Sequence, residues 1–421
     1  MRKPILQLKW LTILVLLLFQ MQANAQFQFS DSLSVSLITC GQGRQVYERF
    51  GHTAIRIQDL RKGDDLVYHY GVFSFNTPNF VMRFVKGETD YQLGIDHTRH
   101  FLSRYDTRGS QVFEQQLNLS QEQIKKLVTL LEINYFPQNR TYRYNYFYDN
   151  CATRPFNLLN KATGDSLRYD TAWVKPLSYR EMVRQYTHED NWLDLGITLC
   201  IAQGSDRPTT FRQQMFLPEY LYAALEHTTT TEGEPLVASS RLLTGPQDMV
   251  APSQVAGMRP QETTASKENQ DTANEGFALL APSRVALAVL LVSMWLLFLE
   301  LKARKSPKKG HRKLQIAGNL FDTLFLLATG SAATIIWFLN FFSEHPTVEN
   351  NLNCLWLWPT NLLFSLLIWI KSLQKVHRIY FFINFAAILI YMVCVSMSVQ
   401  GSCLALMLFA TAMLTRNIHR L

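Results

Sequence analysis

The sequence is poor in charged residues and in cysteine. Asp, Glu, Lys and Arg make up 18% of the chain, whereas about a quarter is usual for soluble domains. Six cysteines among 421 residues are too few for a disulfide scaffold. A glycine-rich phosphate loop, a serine nucleophile elbow, paired zinc ligands and internal repeats are all lacking. The sequence therefore offers no ready-made site for a nucleotide or for zinc.

The excess of positive charge does not indicate nucleic-acid binding. The formal net charge is +8, but much of the excess lies in short loops beside apolar runs. A protein that binds nucleic acid needs a basic face on a folded domain. We therefore expect no nucleic-acid partner.

The N-terminus has the three parts of a secretory signal. Arg2 and Lys3 form the positive start, residues 11–19 form an apolar core too short to span a bilayer, and residues 23–25 read Ala-Asn-Ala, a small-x-small cleavage site. We predict a signal peptide over residues 1–25; an uncleaved anchor helix is the alternative.

The rest of the chain divides into three regions, in keeping with a length that predicts roughly two to three domains. Residues 27–225 are mixed and aromatic-rich, as in a folded extracytoplasmic domain. Residues 228–283 are rich in Thr, Pro, Gly, Ser, Gln and Asn and predict a disordered linker. Residues 285–415 predict a helical transmembrane domain. Its apolar runs are 285–301, 316–342, 352–370, 379–399 and 403–415, of which the first and last are short for spanning helices.

The charges of the loops predict the orientation in the membrane. The loops after the first and third runs and the tail after the fifth carry Lys and Arg, whereas loops 343–351 and 400–402 carry none. Positively charged loops stay in the cytoplasm. We therefore predict a multi-pass protein of the bacterial inner membrane, with residues 27–225 in the periplasm.

The periplasmic region mixes strand and helix signals. Ser120 and Gln123 form a capping box at the start of a helix. Pro155 suits the first turn of a second helix, which then begins near Thr153. The fold class predicted is α+β. The alternating segments that predict strands are 33–39, 53–58 and 66–73, and the second helix is predicted over 153–161.

Two short segments carry residues suited to nucleophilic catalysis. His52 stands at the leading edge of a predicted strand, and Cys151 stands just before a predicted helix. A thiol near a helix N-terminus and beside an imidazole has a lowered pKa, which favours the nucleophilic thiolate. Taken singly, such a histidine is more often structural and such a cysteine buried and inert.

The number of cysteines leaves the state of Cys151 open. The predicted periplasmic region contains three, Cys40, Cys151 and Cys200, so at least one cannot pair within the domain. A bridge between Cys40 and Cys200 leaves Cys151 free, and a bridge to Cys151 would silence it. The third possibility is that all three cysteines are reduced and buried.

A wider set of motifs accompanies these two residues. The set consists of Leu37-Ile38-Thr39-Cys40-Gly41, Arg49-Phe50-Gly51-His52-Thr53-Ala54, Tyr68-His69-Tyr70-Gly71-Val72-Phe73, Asn139-Arg140, Tyr146-Phe147-Tyr148-Asp149-Asn150-Cys151-Ala152-Thr153-Arg154 and Phe216-Leu217-Pro218-Glu219-Tyr220-Leu221. The histidine precedes the cysteine, which resembles circularly permuted papain-like enzymes of the lecithin:retinol acyltransferase type. The set as a whole resembles the N-terminal periplasmic domain of the Lnb family of Bacteroidota, whose members are lipoprotein N-acyltransferases. The resemblance covers about residues 30–225 and extends more loosely to the membrane half, including His345.

The resemblance implies acyl transfer without a cofactor or a metal. Cys151 matches the nucleophile and His52 the general base. A phospholipid would give its acyl chain to Cys151, and the α-amine of a diacylated lipoprotein would take it in a ping-pong scheme. Asn150, Arg154 and His345 are the expected substrate-binding residues.

Two other functions remain open at this stage. Related permuted folds use the same Cys–His pair in peptidases or amidases, so a periplasmic enzyme acting on peptidoglycan or peptides is the alternative. A membrane-anchored binding or sensor module is the other. Five predicted membrane runs favour the acyltransferase, because a hydrolase of soluble peptides needs only one anchor.

The residue that orients His52 is not identified by the sequence alone. His69, on the next predicted strand, is the first candidate, and Asp65 is the second. An ordinary exposed strand position is the alternative for His69. The oxyanion donor is expected to be a backbone N–H near Cys151.

Several further features have a structural and a functional interpretation. His97 and His100 have a spacing that suits a metal, but a polar loop fits better because no partner ligand accompanies them. The aromatic run at 142–148 suits either a lipid groove or a core strand, and we favour the core. His345 and Glu349 on an outward loop could place lipid head groups. Asp322 lies inside an apolar run, where acids are often functional.

Overall fold

The computed structural model describes residues 32–187, 191–245, 280–305 and 311–421. The predicted signal peptide at residues 1–25 lies outside these ranges. The described residues form a β-sheet domain with helices on both faces, followed by a helical membrane half.

Seven antiparallel strands form the main sheet. They run in the order β6-β4-β3-β2-β1-β5-β9, and a separate two-stranded sheet pairs β7 with β8. The three strands predicted from sequence are confirmed as β1, β2 and β3, and the α+β class is confirmed with them. The strands are β1 (Leu33–Cys40), β2 (His52–Asp59), β3 (Asp64–Val72), β4 (Asp90–His97), β5 (Val112–Leu117), β6 (Thr141–Arg143), β7 (Arg168–Tyr169), β8 (Thr228–Thr229) and β9 (Val237–Thr244).

Nine helices accompany the sheet in the described part of residues 32–245. The predicted capping box is confirmed: Ser120 Oγ accepts from the Gln123 N–H at 3.2 Å, and Gln123 Oε1 accepts from the Ser120 N–H at 2.9 Å. The helices are α1 (Phe80–Lys86), α2 (Thr98–Thr107), α3 (Gln121–Tyr135), α4 (Pro137–Arg140), α5 (Thr153–Thr163), α6 (Tyr179–Thr187), α7 (Trp192–Cys200), α8 (Phe211–Gln214) and α9 (Pro218–Glu226).

The sheet separates two apolar cores. Successive residues of a strand point to opposite faces, so Leu37 faces the larger core and Ile38 the smaller one. Helices α3, α5 and α9 fill the larger core, and α2 covers the other face with Phe101.

The segment predicted to be a linker is partly folded. Strand β9 pairs along β5 and closes one edge of the sheet, so the folded domain extends to residue 244 instead of ending near 225. The composition of this segment predicted too little apolar burial for folding. An edge strand, however, is held mainly by backbone hydrogen bonds to its neighbour, and β9 leaves half of its side chains exposed and none fully buried. Residues 246–279 lie outside the described ranges.

The membrane half contains five α-helices in its described residues. Three apolar segments are long enough to cross a bilayer: Pro282–Arg304, Arg312–Phe342 and Lys371–Ser396. The short first run predicted from sequence is thus part of a longer helix. The helices are α10 (Pro282–Lys305), α11 (His311–Phe342), α12 (Asn361–Leu367), α13 (Gln374–Ser396) and α14 (Leu404–Arg420).

The predicted third run, 352–370, does not form one spanning helix. It is divided between a 3₁₀ turn at Leu352–Leu355 and the seven-residue α12. Pro359 lies between these two elements, lacks a backbone N–H and disfavours helix in the residue before it. Three of the five expected spans are thus long and apolar enough to cross a bilayer as single helices, and α14 is a shorter fifth helix.

Asp322 takes part in a buried ion-pair cluster. Arg416 Nε lies 2.5 Å from Asp322 Oδ1, and Arg416 Nη1 lies 2.9 Å from Glu300 Oε2. Arg420 also pairs with Asp322. The cluster joins α10, α11 and α14. The arginines offset the negative charge of Asp322, the acid that the sequence marked as a functional candidate, because buried charges of opposite sign stabilise each other.

The loops without Lys or Arg are the ones that contact the β-sheet domain. The Glu344 N–H donates to the Lys86 carbonyl at 2.7 Å, and Arg184 Nη2 donates to the Ser402 carbonyl at 2.9 Å. Leu195 and Leu199 of α7 pack against the core of the membrane half. The domain thus lies at the end of the helices that the loop charges predict to be periplasmic.

Candidate active site

Asn150 fixes the loop that carries Cys151. Its Oδ1 accepts from the backbone N–H groups of Ala152 and Thr153 at 2.8 and 2.9 Å. Its Nδ2 donates to the Tyr146 carbonyl at 2.7 Å and to a second carbonyl at 2.8 Å. These four hydrogen bonds use the full capacity of the amide. Asn150 thus holds this loop in position, and its contact with substrate stays a prediction.

Cys151 lies against the start of β2. The helix α5 begins at Thr153, as Pro155 predicted, so Cys151 stands just before it. The backbone N–H of Thr53 donates to the Cys151 sulfur, and the thiol is buried. Thr53 directly follows His52, so the two predicted catalytic segments meet. Within the described residues, no hydrogen bond joins the Cys151 thiol directly to the His52 ring.

A line of polar side chains orients the His52 imidazole. His52 Nε2 lies 3.4 Å from His69 Nδ1, and His69 Nε2 lies 2.9 Å from Asp96 Oδ2. An ionised carboxylate only accepts, so His69 Nε2 carries the proton and His69 Nδ1 accepts from His52 Nε2–H. The remaining nitrogen of His52, Nδ1, is then unprotonated and is the one able to act as a base.

The strand register brings these residues to one face of the sheet. His69 on β3 pairs with Gly94 on β4, and Asp96 follows two residues later on the same face. A Cβ at Gly94 would lie 3.1 Å from His69 Nε2, so the glycine leaves room for the imidazole. Phe101 of α2 covers the pair, with its ring centroid 6.4 Å from that of His52.

Sequence reasoning identified His69 but missed Asp96. The second candidate, Asp65, is occupied elsewhere: its Oδ1 and Oδ2 accept from Arg56 at 2.7 and 2.5 Å. Asp96 itself accepts from Arg104 at 2.5 Å. The available signal was the alternation of residues 90–97, which marks a strand with Gly94 and Asp96 on one face.

Burial, and not the helix dipole, decides the protonation of the pair. Burial raises the pKa of Cys151 to about 11, against the lowering effect of the Thr53 N–H. Burial and the neighbouring His69 lower the pKa of His52 to about 3. These shifts oppose the resting thiolate that the sequence led us to expect, and they favour the uncharged forms of both groups near neutral pH.

Asp96 remains a carboxylate despite its partial burial. Burial opposes its ionisation, but hydrogen bonds and charge from Arg104 and His69 hold the pKa of Asp96 below its usual value. Burial lowers the pKa of His69 in spite of Asp96. The line therefore consists of two neutral imidazoles ending at a negative charge, which stabilises His52 when it gains a proton.

Arg154 is held beside the site by an ion pair and an aromatic ring. Its Nε and Nη2 donate to Asp149 at 2.6 and 2.7 Å, and its guanidinium lies 3.5 Å from the centroid of Tyr142. The group is partly exposed. A cation in this position, close in sequence to Cys151, remains a proposed contact for an anionic head group.

His345 contacts the β-sheet domain from the membrane side. Its Nε2 lies 2.6 Å from the Phe84 carbonyl, and its ring stacks on Tyr146 with centroids 5.2 Å apart. Burial lowers the pKa of His345. The structure thus connects His345 to α1 and to the loop that leads to Cys151.

The six cysteines are free thiols, so Cys151 is not part of a disulfide. Cys40 and Cys200 are not bonded to each other either, and burial raises the pKa of Cys40 to about 12. His97 ends β4 and His100 lies in the first turn of α2, both exposed. The part of the chain that the structure describes holds no group of three or more side chains suited to a metal ion.

Two family models match the chain. The Lnb N-terminal periplasmic domain matches residues 20–185, and the Lnb transmembrane domain matches residues 272–421. The chain belongs to the Lnb family. The resemblance seen in the sequence is thereby confirmed, and the division into a periplasmic and a membrane part agrees with the two Lnb domains. No curated protein and no solved structure matches the chain.

Proposed function

We propose that this Lnb-family protein is a membrane-bound lipoprotein N-acyltransferase. It transfers an acyl chain from a phospholipid, through a thioester on Cys151, to the α-amine of a diacylated lipoprotein. The observation that carries the proposal is the line from Asp96 through His69 to His52, which ends where the Thr53 N–H meets the Cys151 sulfur.

The first half-reaction forms the thioester. His52 Nδ1 takes the thiol proton as the Cys151 sulfur attacks the ester carbonyl of the phospholipid. The carbon–oxygen ester bond breaks, and the lysophospholipid leaves as an alcohol with the proton that His52 returns. Because both groups are neutral at rest, proton transfer accompanies the attack instead of preceding it.

The second half-reaction regenerates the enzyme. The neutral α-amine of the lipoprotein attacks the thioester carbonyl, and His52 takes a proton from the amine nitrogen. The carbon–sulfur bond breaks, the amide is released, and Cys151 recovers the proton from His52. No cofactor is needed, because a thioester is already activated toward an amine.

Backbone N–H groups stabilise the negative oxygen in both steps. The N–H groups of Thr53 and Cys151 donate to the sulfur at rest. Thr53 belongs to β2 and Cys151 to the turn before α5, and in this proposal their N–H groups bind the oxygen that becomes negative in the tetrahedral intermediate. Catalytic hydrogen bonds commonly tighten when substrate binds, and we expect the Cys151–His52 contact to close in this way.

The test is mass spectrometry of the N-terminal peptide of a reporter lipoprotein. The peptide is prepared from cells that lack their own N-acyltransferase and express this chain, Cys151→Ala or Cys200→Ala. We expect a third acyl chain with the unchanged protein and with Cys200→Ala, and none with Cys151→Ala. Cys200 is a matched control because it is another free thiol of the same domain.

The same experiment separates the alternative function. Absence of the third chain in cells with folded, membrane-inserted protein would contradict the acyltransferase. A peptidase or amidase acting on peptidoglycan fragments through Cys151 would then be tested by release of the corresponding peptides. Loss of the third chain with both variants would instead contradict the specific role of Cys151.

A further inference from the structure

We propose that one face of the periplasmic domain inserts into the outer leaflet of the bilayer. This α1 face consists of the exposed side chains of Tyr47, Phe75, Val81 and Met82. Val81 is 74% exposed and Phe75 61%. A cluster of large apolar side chains exposed in one place marks a surface that meets a partner or a membrane.

The depth of α1 indicates that the partner is the bilayer. Val85 of α1 packs against a cluster formed by Ile336 and Leu339 of the spanning helix α11, which ends at Phe342, and by Val348 beyond it. At about 1.5 Å per residue, Ile336 lies about 9 Å before the end of that helix. Helix α1 therefore packs against the end of a membrane span.

Hydrogen bonds hold α1 at this depth. Ser343 Oγ donates to the Val85 carbonyl at 2.8 Å, and the Glu344 N–H donates to the Lys86 carbonyl at 2.7 Å. Arg143 forms an ion pair with Glu344. These contacts join α1 to the two residues that follow α11, so the depth of α1 follows that of the helix end.

Exposed apolar side chains are present on both sides of the junction between α11 and α1. Phe341 and Phe342, at the end of α11, are exposed, as are Val81 and Met82. Basic residues of α1, such as Lys86, lie in its last turn. Aromatic and apolar side chains bordered by basic ones are typical of segments that lie in the membrane interface. We therefore commit to phospholipid as the occupant, rather than a protein.

A series of aromatic rings leads from this face toward the catalytic site. Phe73 contacts Tyr47 with ring centroids 5.8 Å apart and Tyr91 at 4.9 Å. Tyr91 in turn contacts Tyr144 at 4.9 Å. Membrane insertion of the α1 face would thus bring acyl chains to the outer end of this series of rings.

Gly71 lies at the inner end of this series of rings, beside Tyr144 and Cys151. A Cβ there would lie 3.4 Å from the Tyr144 ring and 3.9 Å from the Cys151 Cβ. The positive φ of Gly71, 92°, also excludes most side chains. Delivery of an acyl chain along this series of rings to Cys151 rests on the proposed function, whereas insertion of the α1 face into the bilayer does not.

Photo-crosslinking tests the insertion directly. The photoreactive amino acid benzoylphenylalanine replaces Val81, Met82 or Leu60 in the full chain, reconstituted in vesicles of phosphatidylethanolamine and phosphatidylglycerol. Leu60 is a matched control because it is 73% exposed, nearly as much as Val81, and follows the end of β2 opposite to His52. After illumination, mass spectrometry measures phospholipid attached at each position.

We expect phospholipid adducts at residues 81 and 82, at several times the yield at residue 60. Equal yields at the three positions would overturn the proposal, and so would crosslinks from residue 81 or 82 to protein without lipid. This readout needs no catalytic activity, so it tests the surface even in a chain that transfers no acyl group.

A second measurement links the surface to the reaction. Val81→Asp should slow acylation of Cys151 from vesicle phospholipid several-fold, whereas Leu60→Asp should not, with thermal unfolding used to show that both variants are folded. Lipid adducts in a protein without transferase activity would contradict the proposed function and leave the surface standing. Transferase activity without adducts at residues 81 and 82 would contradict the surface alone.

Discussion

The Nε2 atom of His69 lies 2.9 Å from the Asp96 carboxylate, on the adjacent strand. Because the carboxylate can only accept, this contact determines which nitrogen of His69 carries the proton. His69 Nδ1 then accepts from His52 Nε2–H. This leaves His52 Nδ1 unprotonated and able to act as a base. One hydrogen bond between neighbouring strands thus decides the direction in which a proton moves at the site.

Asp96→Asn should reduce acyl transfer about 10- to 100-fold, as for other residues that orient a functional histidine. The amide can donate to His69 and so permits the wrong tautomer. The reduction should appear in kcat with little change in KM, measured with a soluble reporter lipopeptide. Asp90→Asn, on the same strand but in an exposed ion pair with Arg83, should leave kcat unchanged. Equal effects of the two changes would contradict the positioning role of Asp96.

His69→Ala should cause a partial loss of activity, and His52→Ala a nearly complete one. In the proposed mechanism His52 is the base itself, whereas His69 acts through it. Thermal unfolding of both variants establishes that they are folded. Wild-type rates for His69→Ala would contradict a role of His69 in orienting His52 and would make it an ordinary strand residue.

The reactivity of Cys151 should rise steeply with pH. With a pKa of about 11, only about one part in ten thousand of the thiol is ionised at pH 7. Alkylation by iodoacetamide should therefore accelerate about tenfold per pH unit between pH 7 and 10. Mass spectrometry of the peptide that contains Cys151 follows the reaction. A plateau already reached at pH 6 would show a resting thiolate instead.

The low pKa of His52 gives a second pH prediction, of opposite sense. An imidazole with a pKa of about 3 stays unprotonated through the acidic range. Acylation of Cys151 should therefore not show the loss below pH 6.5 that an ordinary histidine causes. The initial rate of thioester formation between pH 5 and 8 checks this, and a fall of about tenfold between pH 6.5 and 5.5 would contradict it.

Asn150→Asp should destabilise the domain by about 1 to 3 kcal/mol and lower activity. The carboxylate can still accept from the N–H groups of Ala152 and Thr153, but it cannot donate to the carbonyls that Nδ2 now binds. Urea unfolding gives the free-energy change. Asn118→Asp, at an exposed site, is the control. A stable but inactive Asn150→Asp protein would favour a direct contact between Asn150 and substrate.

Much of this protein was readable from local patterns. The capping box at Ser120, the strands β1 to β3, the start of α5 near Pro155 and the loop charges each depend on residues a few positions apart. Such signals reflect backbone geometry and membrane insertion, which act locally. The Lnb motifs similarly identified His52 and Cys151 as a pair.

Other features were decided only by the tertiary structure. Strand β9 was predicted as linker, because the partner edge of β5 that holds it is distant in sequence. Asp96 was missed for the same reason, since its place beside His69 depends on the register of β3 and β4. The broken third membrane run, in turn, reflects Pro359 and the packing around it.

The sequence by itself determined which residues can react; the folded structure decided their protonation and their surroundings. A motif records side-chain chemistry, and the helix start next to Cys151 suggested a thiolate. Desolvation, however, depends on everything packed around a group, and here it raises the pKa of Cys151 and lowers that of His52. Likewise, Val81 and Val85 are the same residue type on one helix, but only Val85 packs against the cluster of Ile336, Leu339 and Val348 at the end of a membrane span.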